Sequence, residues 1–191
     1  MEKNTFLTNL KWRRAEKHFA PGKVNIEPIK KAIINAPSSY GMQPYHVYLI
    51  TDKELKEKLK PVCYEQSQID ECYALFVFCA YTNLEKRTDQ YIKQTGFEHK
   101  RESILKYLKS LPTKVGWAKQ QAYLALGYGL AAASELKIAS CPMEGFIPDK
   151  LAKILNISSE LEPCVLLAVG KHTTGYKLET RFRFKDIIQK K

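Results

Sequence analysis

The sequence predicts a single domain, residues 1–191, in which helices intermix with a modest sheet. Short runs rich in β-branched and aromatic residues alternate with segments whose apolar residues recur three or four positions apart. Apolar residues make up 45% of the chain and charged residues 27%, as expected for a globular protein of 191 residues. No internal repeat, low-complexity stretch or linker rich in Gly, Pro or Ser divides the sequence, so one domain is expected.

Two helices are predicted before the first strand. The first runs up to the basic segment 11–14, and its apolar residues are Phe6, Leu7 and Leu10. The second begins near Pro28, which suits a first helical turn, and ends before the segment Ala36–Ser39. The residues of this helix expected to face inward are Ile29, Ile33 and Ile34.

Four strands are predicted, over Tyr45–Ile50, Ala74–Ala80, Ile138–Met143 and Glu162–Gly170. The run 74–80 is continuously apolar, so we expect it at the centre of the sheet, buried on both faces. A charged helix is expected from about Lys53, and a short helix over Pro148–Leu155. Near the C-terminus, residues 180–184 alternate arginine with phenylalanine, so in an extended chain both arginines face one way and both phenylalanines the other.

Two further helical regions differ sharply in polarity. Residues from about 84 to 110 are very polar, with a break near Thr95-Gly96, and are expected to form a peripheral helical excursion. Segment Trp117–Leu136 is almost uncharged and apolar on most sides, with Gly127 and Gly129 allowing close packing. Because a chain of this size can hardly cover such a helix alone, we expect a partner subunit, and a symmetric dimer is the usual solution.

The net charge of +11 and the pI near 9.3 point to nucleic acid, anionic lipid or phosphorylated small molecules as partners. The charge is spread along the chain, and segment 53–60, where Lys alternates with Glu, is typical of a solvated helix face. No apolar run approaches the roughly 20 residues of a membrane span, and the N-terminus lacks an apolar signal core. We therefore expect a cytoplasmic protein that does not enter a membrane.

Several classes of chemistry lack a starting point in this sequence. The five cysteines form no CxxC pair, and three of them lie in apolar strand-like runs, so neither disulfides nor zinc are favoured. No Gly-rich loop of Rossmann or Walker type and no GxSxG occur, and the four histidines lack metal-ligand spacing. ATPases, nucleotide-fold dehydrogenases, serine hydrolases and metalloenzymes are therefore disfavoured.

Two basic clusters and one loop are candidates for binding a ligand. The clusters are Arg13, Arg14 and Lys17 near the start of the chain, and Arg181 and Arg183 near its end. Paired guanidinium groups suit bidentate contact with phosphate, and two chain ends meeting over one phosphate would form a compact anion site. In segment 36–45, small residues would let a flat ligand approach the backbone while Ser and Gln supply hydrogen bonds, although the segment also suits an ordinary helix-to-strand loop.

Six segments, in order, resemble motifs of the FMN-dependent nitroreductase family. Arg13–Phe19 is similar to the family's opening Arg-x-Ser-x-Lys-x-Phe, and Pro37–Tyr45 is similar to Pro-Ser-Ser-x-x-Gln-Pro-Trp. Segment 66–69 resembles Gln-x-Gln-apolar, and the helix from Trp117 resembles the family's long dimer helix. Pro142–Phe146 resembles Pro-x-x-Gly-Phe, and Arg181-x-Arg183 resembles the basic tail. Each motif is weakly specific, but together the six cover essentially the whole chain.

The resemblance implies an α+β fold whose small, mostly antiparallel sheet is flanked by helices, in an interleaved homodimer with FMN at each end of its interface. It also implies a ping-pong reaction, in which NADPH or NADH passes hydride to flavin N5 and leaves. A nitroaromatic, quinone or free flavin then takes its place in the same slot. The excess of positive charge favours NADPH as the donor.

The resemblance also assigns residues to each part of the cofactor. Those implied to bind FMN are Arg13, Arg14, Ala15, Lys17, Pro37, Ser38, Ser39, Gln43, Glu65, Gln68, Pro142, Met143, Glu144, Gly145, Arg181 and Arg183. The arginines would hold the phosphate, Ser38 and Ser39 would line the ring from the partner subunit, and Gln68 would reach its pyrimidine edge. The residues implied in catalysis are Lys17, near flavin N1 and O2, and the backbone N–H groups of Glu144 and Gly145, near N5. Tyr40 and Trp117 would line the substrate slot.

Three positions depart from the family pattern. Ala15 replaces a frequent Ser and removes one hydroxyl from the phosphate site, although Arg14 could compensate. Glu65 stands where many relatives have Asn, and an ionised carboxylate there would repel the reduced ring, so Glu65 either turns away or shifts the potential. Tyr45 in place of Trp is a mild change.

Other functions remain open at this point. Within the family, a reductive dehalogenase or a reductase of conjugated double bonds is the alternative, and the polar excursion at 84–110 has a composition that a lid could use. A protein that stores or senses FMN without turnover is another possibility. Outside the class, the basic clusters could contact the phosphates of RNA or DNA, although no RNP-like motif occurs and the aromatics lie mostly in apolar strands.

Overall fold

The computed structural model of the chain describes residues 5–173 and 181–190. Within them, α1 (Thr5–Trp12) and α2 (Glu27–Ile34) precede β1 (Tyr45–Ile50), and α3 (Lys53–Leu59) and α4 (Gln68–Glu71) precede β2 (Ala74–Tyr81). Three helices follow: α5 (Leu84–Thr95), α6 (Arg101–Ser110) and α7 (Lys114–Glu135). The order ends with β3 (Ala139–Met143), α8 (Pro148–Ile154), β4 (Leu161–Gly170) and α9 (Phe184–Ile187).

The strands of the described chain form one antiparallel sheet in the order β1-β2-β4-β3. β2 therefore lies inside the sheet, as the apolar run 74–80 predicts, and those residues are 0–2% exposed. The register places Ala80 between Tyr45 and Glu162, and Met143 opposite Leu166. The predicted α+β class, with a small antiparallel sheet flanked by helices, is confirmed.

Alternate residues of β2 face two different helix layers, as the period of a strand requires. Phe76 and Phe78 pack with α2 and α7, in a cluster that includes Ile29 and Leu126. Residues 75, 77 and 79 face the opposite layer, which α3, α4 and α8 cover. Both faces of β2 are therefore covered within the chain itself.

Helices α5 and α6 form a separate small cluster at one end of β2. They bury Ile92, Ile104 and Leu108 against one another and against Met42 and Trp117. The break expected near Thr95-Gly96 is confirmed, because Gly96 ends α5 in a left-handed conformation with φ of 71°. The excursion thus carries its own apolar contacts, and they join it to the loop before β1 and to the start of α7.

Helix α7 buries one side against the sheet and leaves another side exposed. Its first turn is capped by Thr113, whose Oγ1 accepts a hydrogen bond from Gly116 N at 3.1 Å. The exposed side carries large apolar residues, including Leu124 at 46% and Tyr128 at 45% exposure. With Phe6 of α1 and Ala32 of α2, this side forms an open apolar groove, here called the α7 groove.

Three sequence-based expectations are wrong in detail. Ile34 is 66% exposed, because it lies about 100° around α2 from Ile33, beyond the side that packs on the sheet. Lys56 does not lie on a solvated face: it is 4% exposed, and its ammonium donates to the Cys72 carbonyl oxygen. The alternating tail is not extended throughout, since helix α9 begins at Phe184. Thr180, which belongs to the same pattern, lies outside the described residues.

No helix among the described residues is long and apolar enough to cross a membrane. All five cysteines are free thiols. Of the three in strand-like runs that were expected to behave as small hydrophobes, Cys79 and Cys141 are buried and Cys164 is half-buried. The expectation that residues 1–191 form a single domain stays a prediction.

Candidate active site

The segment that carries the first basic cluster runs beside β3. Immediately after α1, Ala15 forms an isolated parallel bridge with Ser140, and Glu16 N donates to the Ser140 carbonyl oxygen at 3.1 Å. Further on, the Lys17 carbonyl oxygen accepts from Ser67 Oγ at 2.9 Å. Backbone contacts thus place segment 13–17 between β3 and the start of α4, with Arg13 half-buried and Lys17 exposed.

Arg14 takes part in a network of side chains that joins segment 13–17 to the chain after β4. Its guanidinium Nη2 lies 3.5 Å from His172 Nε2 and 3.6 Å from Glu16 Oε2, and His172 Nδ1 lies 2.8 Å from the same carboxylate oxygen. In this network Glu16 Oε2 accepts from His172 Nδ1, and the Arg14 guanidinium lies beside His172 Nε2. Thr173 Oγ1 adds a bond to Glu16 Oε1 at 3.3 Å. Arg14 therefore braces the segment against the chain after β4, and a phosphate contact for Arg14 stays a prediction.

The loop between α3 and α4 turns sharply and sends one glutamine toward β3. Tyr64 and Glu65 both have left-handed backbone, with φ of 54° and 55°. Glu65 is exposed, whereas the next residue, Gln66, donates from Nε2 to the carbonyl oxygens of Cys63 at 2.8 Å and Gly145 at 2.7 Å. Both alternatives for Glu65, that it turns away from the ring or that it shifts the potential, stay predictions.

Gln68 begins α4 and is 4% exposed. Its Nε2 lies 3.9 Å from Cys141 Sγ, and sulfur is a weak hydrogen-bond acceptor. Because this contact with sulfur is weak, the Gln68 carboxamide keeps hydrogen-bonding capacity that the polar edge of a ligand next to β3 could use.

The turn that follows β3 is held from two sides. Pro142 and Met143 end the strand, and the exposed Glu144 accepts a short hydrogen bond from Tyr123 of α7. Burial, followed by this bond to a carboxylate, raises the pKa of Tyr123 above its ordinary value near 10. On the other side, the Gly145 carbonyl is held by Gln66.

The loop from 37 to 44 is braced internally. Pro37 is exposed, and Ser38 Oγ accepts from Gln43 N at 2.8 Å. Ser39 N donates to Gln121 Oε1 of α7 at 2.9 Å, and Gln43 Nε2 donates to the Ile34 carbonyl oxygen at 2.7 Å. Gln43 and the Ser38 hydroxyl therefore shape the loop, and this accounts for the positive φ of 43° at Gln43.

Tyr40 projects from this loop into a row of aromatic rings. Its backbone has φ of 58°, uncommon for a bulky residue, and its ring is 41% exposed. The ring centroid lies 5.5 Å from that of Tyr107 in α6, and Tyr107 lies 6.0 Å from the buried Trp117 in an edge-to-face contact. Tyr40 and Trp117, the two residues predicted to line a slot, are thus joined through Tyr107 of the excursion.

The predicted residues fall into two groups within one chain. Segments 13–17, 66–68 and 142–145 meet around β3, through the contacts just described. Loop 37–44 enters β1 at the same end of the sheet but at the opposite edge, three strand spacings or about 14 Å away. That a second copy of the chain supplies loop 37–44 to a ligand beside β3 stays a prediction.

The second basic cluster, Arg181 and Arg183, lies on the surface of the chain. Arg183 is exposed and donates to Asp186, with Nε 3.0 Å from Oδ2 and Nη2 3.4 Å from Oδ1. Arg181 is exposed as well. The expected meeting of the two chain ends over one phosphate stays a prediction.

Sequence reasoning missed several residues that shape this site, namely Glu16, Gln66, Tyr107, Gln121, Tyr123 and His172. Gln66 belongs to the Gln-x-Gln motif of segment 66–69, and its position in that motif is the one signal in the sequence that indicates a role at the site. The others act through contacts with residues distant in sequence, which no local pattern records.

Known proteins resemble this chain over most of its length. The model of the nitroreductase family matches residues 10–171. A protein of Staphylococcus haemolyticus named as an NAD(P)H nitroreductase is 28% identical over 211 residues, covering 97% of this chain and 96% of that protein. The solved structure of YdfN from Bacillus subtilis has a TM-score of 0.88 at 19% identity, covering 97% of this chain and 98% of that one. A protein from Exiguobacterium sibiricum, solved in complex with FMN, has a TM-score of 0.81 at 21% identity, covering 100% and 99%.

The chain therefore belongs to the nitroreductase family. The predicted class is confirmed at the level of that family: an oxidoreductase with FMN as cofactor and a nicotinamide nucleotide as reductant. The residues around β3 fit FMN chemically, because cationic side chains at 13 and 17, the buried Gln68 carboxamide and the backbone of the 144–145 turn follow one another along the strand. From Ser140 to Gly145 this row spans about 16 Å, which suits an elongated mononucleotide better than a compact anion.

Proposed function

We propose that this protein is an FMN-dependent reductase that takes hydride from NADPH or NADH and delivers it to small acceptors such as nitroaromatics, quinones or free flavins. The observation that carries the proposal is the row of segments along β3. There Ala15 lies in bridge register with Ser140, the Gln68 carboxamide lies beside Cys141, and Gln66 donates to the Gly145 carbonyl oxygen. Each segment offers the chemistry that one part of FMN requires: cations for phosphate, an amide for the pyrimidine edge, and backbone N–H groups for a ring nitrogen.

FMN, when bound, supplies the centre that accepts hydride from the reduced nicotinamide and passes it on to the acceptor. The protein's share is binding, orientation and electrostatics. Arg13, with Arg181 and Arg183, would hold the phosphate, and Gln68 would fix the ring by its pyrimidine edge. Lys17 would place a cation where negative charge collects on reduction; at an effective dielectric near 20, a cation about 4 Å away is worth on the order of 4 kcal/mol.

Donor and acceptor would occupy the same slot in turn. Tyr40, packed on Tyr107, offers a flat aromatic wall that a nicotinamide or an aromatic acceptor can stack against. A slot with one aromatic wall and few polar side chains would select loosely between acceptors. In a ping-pong sequence the slot has to admit both the donor and the acceptor, and loose selection allows this.

The active form would be a homodimer built on the α7 groove. Leu124 and Tyr128 are exposed there, and a second copy would cover them while bringing its own Ser38 and Ser39 to the site around β3. Replacing Leu124 by Glu should lower the molar mass in sedimentation equilibrium from the dimer to the monomer. The matched change at Phe97, an exposed ring of the excursion, should leave the mass unchanged. A monomeric wild type, or a dimeric Leu124→Glu variant, would count against this dimer.

The binding site is tested by titrating the flavin-free protein with FMN and with riboflavin, following quenching of flavin fluorescence. We expect FMN to bind at least about tenfold more tightly than riboflavin, since the phosphate adds charge-assisted hydrogen bonds. The Arg13→Ala variant should lose most of that preference while keeping its affinity for riboflavin. Equal affinity of the wild type for both flavins, or no binding of either, would refute the proposed site.

A further inference from the structure

Gln66 joins two loops that would otherwise be independent. Its carboxamide Nε2 donates at once to the Cys63 carbonyl oxygen, 2.8 Å away, and to the Gly145 carbonyl oxygen, 2.7 Å away. Both protons of the amide nitrogen are thereby used. The connection is reinforced nearby, where Ile147 N donates to the Val62 carbonyl oxygen at 2.9 Å.

The turn after β3 is held by a backbone hydrogen bond and by the Gln66 amide. Phe146 N donates to the Glu144 carbonyl oxygen at 2.9 Å, so the chain reverses around Gly145. In a trans peptide the C=O and N–H groups point in opposite directions. Because the Glu144 carbonyl points toward Phe146, the Gly145 N–H in the same peptide plane points away from Phe146, out of the turn.

The next peptide plane is the one that Gln66 holds. It contains the Gly145 C=O, bonded to Gln66, and the Phe146 N–H, bonded to Glu144. The fit is close: a Cβ on Gly145 would lie 2.7 Å from Gln66 Nε2, a distance that forces the amide to move. Losing the amide donor frees this plane to rotate, which loosens the bond from Phe146 N to the Glu144 carbonyl oxygen. The preceding plane, which holds the Glu144 carbonyl and the Gly145 N–H, is then less fixed, and the direction of that N–H becomes variable.

We infer that Gln66 is a positioning residue for the flavin reaction: it does not contact the ring, but it aims the Gly145 N–H at the acceptor nitrogen N5. This inference rests on the proposed function, since it assumes that FMN lies along β3. A side chain of the same size without the donor would fill the same space and leave the N–H direction unset.

The test compares FMN with 5-deaza-FMN, in which a carbon replaces N5 and no acceptor remains. The wild type should bind FMN about three- to tenfold more tightly than 5-deaza-FMN, the effect of one hydrogen bond. In Gln66→Met, which keeps the length of the side chain, the ratio should fall to near one while affinity for 5-deaza-FMN changes less than about twofold. Gln90→Met, at an exposed glutamine of α5, is the matched control and should keep the wild-type ratio.

The possible results distinguish failure of the inference about Gln66 from failure of the proposed function. Equal weakening of both ligands in Gln66→Met, or an unchanged ratio, would overturn the inference while leaving the proposed function in place. A wild type that binds neither flavin would overturn the proposed function and the inference with it. If Gln66→Met does not fold, Gln66→Asn, whose shorter amide cannot span the 2.7 Å contact, should show the same loss of ratio, and retention of the ratio there refutes the role.

Discussion

Replacing Glu16 by Gln should destabilise the protein far more than the same change at Glu71. Both carboxylates pair with a histidine, but in different surroundings. Glu16 Oε2 lies 2.8 Å from His172 Nδ1, and the side chains of Glu16 and His172 are 11% and 32% exposed. Glu71 Oε2 lies 3.3 Å from His18 Nδ1, and the side chains of Glu71 and His18 are 34% and 69% exposed. Glu16 also lies 3.6 Å from Arg14, whose side chain is 11% exposed.

The magnitudes follow from this difference in burial. Replacing Glu16 removes a carboxylate that lies 3.6 Å from the Arg14 guanidinium in a largely desolvated place, and removing one partner of a buried pair costs up to about 3–5 kcal/mol. Gln still accepts one hydrogen bond from His172, which recovers about 1 kcal/mol, so a loss of about 2–4 kcal/mol is expected. For Glu71→Gln the loss should stay below about 1 kcal/mol, because exposed ion pairs contribute little and Gln can still accept from Phe19 N.

The assay is urea unfolding of the flavin-free proteins at one protein concentration, followed by far-ultraviolet circular dichroism. Removing FMN keeps ligand binding out of the measured free energy of unfolding. The Glu16→Gln variant should unfold at clearly lower urea with an unchanged slope, and Glu71→Gln should nearly overlay the wild type. If the two variants are equally stable, the described brace of segment 13–17 is incorrect.

Three further predictions concern the thiols, a helix cap and the basic tail. Burial raises the pKa of the Cys63, Cys72 and Cys79 thiols from about 9 to about 12, and unfolding restores the ordinary value. As the pH rises, the thiols of the unfolded chain therefore lose their protons before those of the folded chain. The free energy of unfolding should fall by about 1.4 kcal/mol per pH unit for each thiol between about pH 9 and pH 12. Urea midpoints measured across that range should decline less steeply for Cys79→Ala than for the wild type, and an identical decline would contradict the prediction. Asp52→Ala removes the side-chain cap of α3, a 2.7 Å bond from Leu55 N to Oδ1, and should cost about 1 kcal/mol in the same unfolding assay, whereas no change would show that the cap contributes nothing. Replacing Arg181 and Arg183 together by Ala should weaken FMN binding at least tenfold in fluorescence titration without changing the unfolding midpoint, and full flavin occupancy in that variant would remove the tail from the phosphate site.

Much of the fold could be predicted because its signals are local. The continuous apolar run 74–80 can be buried on both faces only inside a sheet, and the structure places it there. Strand β1 has the predicted bounds, Tyr45–Ile50, because its composition changes abruptly at both ends. Ile34 was misplaced because the predicted inward side of α2 was taken wider than the sheet can cover.

The candidate site was harder to predict, because its order depends on contacts between distant segments. Lys56 looks like a surface residue in its helix, yet the carbonyl oxygen of Cys72 makes burial of its ammonium possible. The contact of Arg14 with His172 depends on a residue 158 positions away along the chain, which no local pattern records. The grouping along β3 likewise emerges from sheet order, which no single motif contains.

The central claim is that this protein carries electrons from a nicotinamide nucleotide through FMN to a small acceptor. The most direct test is the anaerobic visible spectrum of the FMN-reconstituted protein, recorded before and after adding NADPH, then NADH, and finally a quinone or nitroaromatic. We expect the flavin bands to bleach with at least one donor and to return on adding the acceptor. Flavin bands that neither donor bleaches would contradict the account and leave a protein that binds FMN without turnover. A protein that takes up no FMN would contradict it more fundamentally and return the basic clusters to consideration as a nucleic-acid surface.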